Sequence, residues 1–312
     1  MLKHRLLFGS FLVVALVALI FADERLSNGW PGGPAYPMLS LGLSPYKGAL
    51  VGAVLGLLVI AGTRELHRLF TAAGFAPLGV WAACANLVLL VITFAAGNAS
   101  SDGPAFVSGS DLNATVAWLT VVLIGAAFII GARGRVQGAI GDLAATMLIV
   151  LYLGLLPQYI LRVRFLTEEG GAWLLLYFLG TVKVCDIGAY FTGRAIGRHK
   201  LIDWLSPKKT VEGLIGGVAA SVLVAVGVPR LVALAGAGHS PVATVFPTPA
   251  KACIFGLAMA LVGQGGDLLE SLFKRNAQAK DSANVIPAFG GLLDVLDSPL
   301  LAAPVAYWLL LK

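Results

Sequence analysis

"GGLLDVLDSPLLAAPVAYWLLLK", residues 290–312, opens with two aspartates and then runs on in almost purely apolar side chains. An apolar run of about 20 residues is the length at which an α-helix crosses the hydrocarbon core of a bilayer. "LLFGSFLVVALVALIFA", residues 6–22, is a second such run. Working outward from these, hydropathy places nine, at roughly 6–22, 45–63, 77–96, 114–132, 138–158, 172–190, 212–236, 251–269 and 291–311. The chain is 58% apolar and only 12% charged, with a mean hydropathy of +0.87, which excludes an ordinary soluble domain. The expected fold is an all-α polytopic membrane protein with about nine transmembrane helices. Its 312 residues are nearly used up by spans and short connections, so no separate soluble domain of ordinary size fits.

Orientation follows from the basic residues. With a cytoplasmic N-terminus, fourteen Lys and Arg fall on the cytoplasmic side and seven outside, with Lys183 inside a span. The expected location is the inner (cytoplasmic) membrane, multi-pass. The net charge of +6 is then no sign of a nucleic-acid partner, because cytoplasmic loops are basic in any case. The N-terminus resembles a signal peptide without a convincing small-residue cleavage site and reads as a retained first helix. Cys84, Cys185 and Cys253 lie in apolar runs with no metal-type spacing and read as core filling. Residues 1–170 carry few charges in their spans and read as a lipid-facing scaffold, Asp142 being the main exception. Residues 171–312 carry the charge and read as the catalytic region, its polar segments facing the cytoplasm.

In "GDLLESLFKR", residues 266–275, Asp267, Glu270, Ser271 and Lys274 share one helix face. Acids at a membrane boundary are costly unless they face a wet cavity or a ligand. Asp294 and Asp297, at i and i+3, start the last run on a single face. Two helices that each present a carboxylate pair can bind a hard divalent cation, and Mg²⁺ prefers such an incomplete oxygen cage. The competing reading is salt bridging to Lys274, Arg275 and Lys280. Upstream, Lys183 and Asp186 stand at i, i+3 and can neutralise each other. "SPKKT", residues 206–210, reads as a helix start, with Ser206 as N-cap and Pro207 at the first helical position. Its free amides, with Lys208 and Lys209, would form an anion site. Gly213, Gly216 and Gly217 allow close approach of a helix or a phosphate.

Acids for a metal and bases for phosphates at one membrane face are the equipment of a phosphoryl or nucleotidyl transferase acting on a lipid headgroup. No Walker-type G-x-x-x-x-G-K-[ST] is present, and His4, His67, His199 and His239 are scattered over both sides. The order D-x-G-A-Y…G-R-x-x-G…S-P-K-K-T-x-E-G-x-x-G-G, then G-D-L-x-E-S-x-x-K-R-x-x-x-x-K-D and G-G-x-x-D-x-x-D-S, resembles the phosphatidate cytidylyltransferase (CDP-diacylglycerol synthase) family. The resemblance is strong over roughly residues 180–300 and otherwise touches only the pattern of spans and "TRELHRL" at 63–69.

The resemblance implies that CTP and phosphatidate are joined, with Mg²⁺, to give CDP-diacylglycerol and pyrophosphate. It implies that Asp267 and Asp294 bind metal, leaving Glu270 and Asp297 beside them or on a second cation. Lys274 and Arg275 join Asp267 and Asp294 as expected catalytic residues. Asp186, Ser206, Lys208, Lys209, Thr210, Ser271, Lys280, Asp281 and Asp297 are expected to bind substrate. A homodimer is compatible with the resemblance alone. Two stretches depart from the family signature. "PAFGG" stands where Pro-Gly-His-Gly-Gly is usual, and Val295 in "DVLD" stands where Arg is usual. The rival readings are a CTP-dependent polyprenol or phytol kinase, in which only phosphate reaches the lipid, and an ion-coupled transporter. No repeat is visible in support of the transporter.

Overall fold

Backbone in hydrocarbon has no water to bond and must satisfy its own N–H and C=O groups, so the apolar runs fold as helices. The computed structural model describes residues 2–28, 47–99, 109–134, 136–167, 169–279, 282 and 291–311. Lys280, Asp281, Ala288 and Phe289 lie outside the described residues.

The first run is α1 (Leu2–Asn28). Then follow α2 (Ala49–Ala72), α3 (Gly79–Ala99) and α4 (Gly109–Ala132). The fifth run is one broken helix, with α5 (Ala139–Val150) passing through a π-turn at Leu151–Leu155 into α6 (Leu156–Arg164). The rest are α7 (Gly171–Ile196), α8 (Val211–Val232), the short α9 (Pro241–Thr244), α10 (Pro249–Asn276) and α11 (Leu293–Leu310). Among the described residues, eight helical segments are long and apolar enough to cross a membrane. The fold is all-α and polytopic, as the composition requires.

α7, α8, α10 and α11 pack together, and α11 also lies on α6. The α7–α8 contact is set by glycines. A Cβ on Gly217 would sit 2.7 Å from the Cys185 carbonyl oxygen, and one on Gly188 would sit 2.7 Å from Ala220 Cβ. The neighbour that approaches Gly217 is therefore helix α7.

"SPKKT" corrects an expectation. Ser206–Thr210 is a strand, β2, paired antiparallel with β1 (Lys200–Ile202), with Lys200 opposite Thr210 and Ile202 opposite Ser206. Extended backbone before proline suits a strand and an N-cap alike, as the caps Ser240 before Pro241 and Thr248 before Pro249 show, so pairing with Lys200–Ile202 is what makes this segment a strand. The helix begins four residues later, where Thr210 (φ −124°, ψ 154°) is the N-cap and accepts a bond from the Gly213 amide at 3.1 Å. The anion site expected at a Ser206 cap is therefore not a helix terminus.

At the opposite end of the bundle, Arg164 is fully buried, with Nε 2.7 Å from Asp23 and Nη2 3.2 Å from Glu24. The sequence assigned this arginine to the basic residues of the outer loops. Asp23 accepts from the Leu50 and Val51 amides at the start of α2, and Glu24 from the Gly170 and Ala172 amides at the start of α7. Two carboxylates at helix N-termini meet favourable partial charge there, and Arg164 ties both to the end of α6.

Candidate metal and phosphate site

α2, α7 and α10 end where α8 and α11 begin, so residues far apart in sequence meet at one end of the bundle. The face expected of α10 forms there. One carboxylate oxygen each from Asp267, Glu270 and Asp297 lies within 4.8 Å of the others. Asp267 and Glu270 share the α10 stripe, and Asp297 reaches them from the first turns of α11.

Three ammonium groups hold this cluster. Lys209 Nζ, from the end of β2, is 2.7 Å from Asp267 Oδ2 and 3.0 Å from Gln264 Oε1. Lys183 Nζ is 3.3 Å from Asp186 and 3.8 Å from Asp297. Lys274 Nζ is 2.7 Å from Glu270 Oε2 and 2.5 Å from Asp294 Oδ1. Gln264 links two of these groups, since its amide also donates to Asp186 at 2.9 Å. The Ser298 amide donates to Asp297 at 2.5 Å.

Five carboxylates thus face three ammonium groups, a formal surplus of two negative charges in a site walled by apolar helices. Buried charge in surplus is strongly unfavourable without a partner. Glu270 is fully buried, and its Oε1 has no hydrogen-bond partner among the described residues. Hard oxygen donors, a double negative surplus and an orphaned oxygen fit one divalent cation of the magnesium type.

Asp294 is placed differently from the expectation. The carboxylates that converge on Asp267 are Glu270 and Asp297. The Asp294 oxygens are taken by Lys274 Nζ, the Ser282 hydroxyl at 3.0 Å and the Gly291 amide at 2.7 Å. It adjoins the cluster through Lys274. Of the other expected residues, Lys208 is exposed on the hairpin, Ser206 is half-buried in β2, Thr210 caps α8 and Ser271 is half-buried on α10. Arg275 is exposed and donates to the Leu205 carbonyl at 3.3 Å, tying the hairpin to α10.

Several participants were missed in the sequence. Gln264, Ser298 and Tyr152 are neutral polar residues in apolar runs, which carry no distinctive signal. Tyr152 sits on the π-turn of the broken span, buried edge-on against Phe273 at 5.6 Å, with no partner for its hydroxyl among the described residues. A π-turn inside a helix is frequently found at a functional site. Glu65, on α2, had a signal: it is the acid of "TRELHRL", and it is 3% exposed.

A model of the cytidylyltransferase family matches residues 36–311. The phosphatidate cytidylyltransferase of Chlamydia pneumoniae is 30% identical over 319 aligned positions, which cover 99% of this chain and 92% of that protein. The phosphatidate cytidylyltransferase of Staphylococcus haemolyticus is 29% identical, covering 82% of this chain and 88% of its own. That of Bacillus subtilis is 35% identical over 52% of this chain and 56% of its own. With the family model spanning nearly the whole chain and the acidic and basic motifs converging at one end of the helices, this chain belongs to the cytidylyltransferase family.

Proposed function

We propose that the chain transfers a cytidylyl group from CTP to phosphatidate, at the cytoplasmic face of the inner membrane, with the N-terminus on that same side. The observation that carries this reading is the meeting of Asp267, Glu270 and Asp297 within 4.8 Å, ringed by Lys183, Lys209 and Lys274. An oxygen of the phosphatidate phosphate forms a bond to the α-phosphorus of CTP. The bond from that phosphorus to the α–β bridging oxygen breaks, and pyrophosphate leaves with the electron pair. A phosphate monoester near neutral pH is already an anion, so no strong general base is required, and positioning with charge neutralisation supplies the catalysis.

Asp267, Glu270 and Asp297 would hold Mg²⁺, which supplies positive charge against the triphosphate. Lys209 and Lys183 line the same cluster as phosphate-binding charges, and exposed Lys208 and Arg275 lie on the approach from the cytoplasm. Asp294 holds Lys274 against Glu270 and so sets the charge beside the metal ligands.

The test uses purified protein, phosphatidate, Mg²⁺ and CTP labelled either at the α- or at the γ-phosphate. Label from the α-position, and not from the γ-position, is expected in the lipid. Transfer of γ-label instead would assign a kinase, and no transfer of either would remove the reading.

A further inference from the structure

Glu65 belongs to α2, in the part of the chain that reads as scaffold, yet it reaches the start of the last helix. Its Oε1 accepts from the Leu292 amide at 2.9 Å, and its Oε2 from the Leu293 amide at 3.0 Å. Leu292, the residue at the N-cap of α11, has no side-chain oxygen to offer. The cap is supplied from another helix, by an anion placed where the free amides and the helix dipole favour one.

Glu65 does more than cap. Its Oε2 also lies 3.1 Å from the Ser282 hydroxyl, which is 3.0 Å from Asp294 Oδ2. One hydroxyl proton is therefore shared between two carboxylates. Asp294 Oδ1 binds Lys274, and Lys274 binds Glu270, one of the three clustered acids. A continuous chain of contacts runs from Glu65 through Ser282, Asp294 and Lys274 to Glu270.

We propose that Glu65 is a positioning residue for the transfer reaction. By holding the first turn of α11 and the Ser282 hydroxyl, it fixes Asp294, and through Asp294 it sets Lys274 against Glu270. The N-terminal helices are then part of the machinery as well as a scaffold. The proposal rests on the reading of the acidic cluster as the reaction centre.

A mere cap would lower stability and leave the reaction parameters alone, and this separates the two roles. Steady-state transfer from CTP to phosphatidate is measured with Mg²⁺ titrated, for the full-length protein and for Glu65→Gln, Ser282→Ala and the double variant. The midpoint of thermal stabilisation by Mg²⁺ without substrates is measured alongside. Thr248→Ala, which removes the cap at the distant start of α10, is the control for loss of a cap, and Asp267→Asn, a change within the acidic cluster itself, is the reference. Ser282→Ala removes no cap, so it remains informative if Glu65→Gln folds poorly.

Glu65→Gln and Ser282→Ala are expected to lower kcat about 10- to 100-fold, the range typical of groups that orient metal-site residues. Both should raise the Mg²⁺ midpoint in activity and in stabilisation. The double variant should be no worse than the more severe single one, as for two members of one chain of contacts. Thr248→Ala should leave both midpoints unchanged. Wild-type kcat and Mg²⁺ midpoints in both single variants, with Asp267→Asn inactive, overturn the inference and leave the site reading standing. Activity retained by Asp267→Asn overturns the site reading and the inference with it.

Discussion

Lys209 was expected at a helix start and lies instead at the end of a strand. Its pairing with Asp267 at 2.7 Å and Gln264 at 3.0 Å brings a largely buried ammonium into the acidic cluster. Adjacent Lys208 alternates to the exposed side of the strand, as neighbouring residues in extended backbone must. Lys209→Met keeps the length of the side chain and removes its charge. It is expected to lower kcat/KM for CTP by about 10²–10³, the scale for loss of one preorganised electrostatic contact. Lys208→Met is expected to fall short of tenfold, and parallel kinetics on the two variants check the pair. The clustered acids were legible because a carboxylate inside an apolar run is too costly to leave without a role. The swap of Asp297 for Asp294 in the cluster was not. Both lie on one face at i and i+3, and only the seating of α11 against α10 decides which reaches Asp267.

At the scale of elements, hydropathy located the eight long apolar helical segments, because such a run in a bilayer has no other way to satisfy its backbone, and it passed over the short α9. Local breaks were harder. The hairpin at 200–210 depends on pairing between strands that hydropathy does not see, and the π-turn at Leu151–Leu155 inserts no residue type that marks it. The junction around Arg164 was equally hidden. An arginine after a span reads as a loop cation, and its burial follows from the arrival of Asp23 and Glu24 from α1, more than 130 residues earlier. Arg164→Ala would remove the guanidinium that bridges Asp23 and Glu24. The expected loss is about 3–5 kcal/mol, as for other broken buried pairs. Thermal unfolding in detergent measures it, and an unchanged midpoint would show that the Arg164 bridge does not stabilise the fold.

Across the whole molecule, the alternation of helices carries Glu65, Asp186, Lys209, Asp267 and Asp297 to one end and Asp23, Glu24 and Arg164 to the other. The proposed orientation puts the first end in the cytoplasm, where the hairpin displays Trp204, 76% exposed, among basic residues. In a background without the three native cysteines, Trp204→Cys is expected to react with a membrane-impermeant maleimide in inverted vesicles and not in right-side-out ones. The opposite pattern would reverse the topology and place the site outside. Membrane class, the long apolar helices and the charged residue types at one end of them are legible in the chain alone, since hydropathy and the cost of buried charge are local properties. Which acids cluster together, which lysine pairs with them and that α2 caps α11 emerge only on folding. Those depend on how rigid helices are rotated and stacked, and glycine contacts such as those between α7 and α8 set that stacking one neighbour at a time.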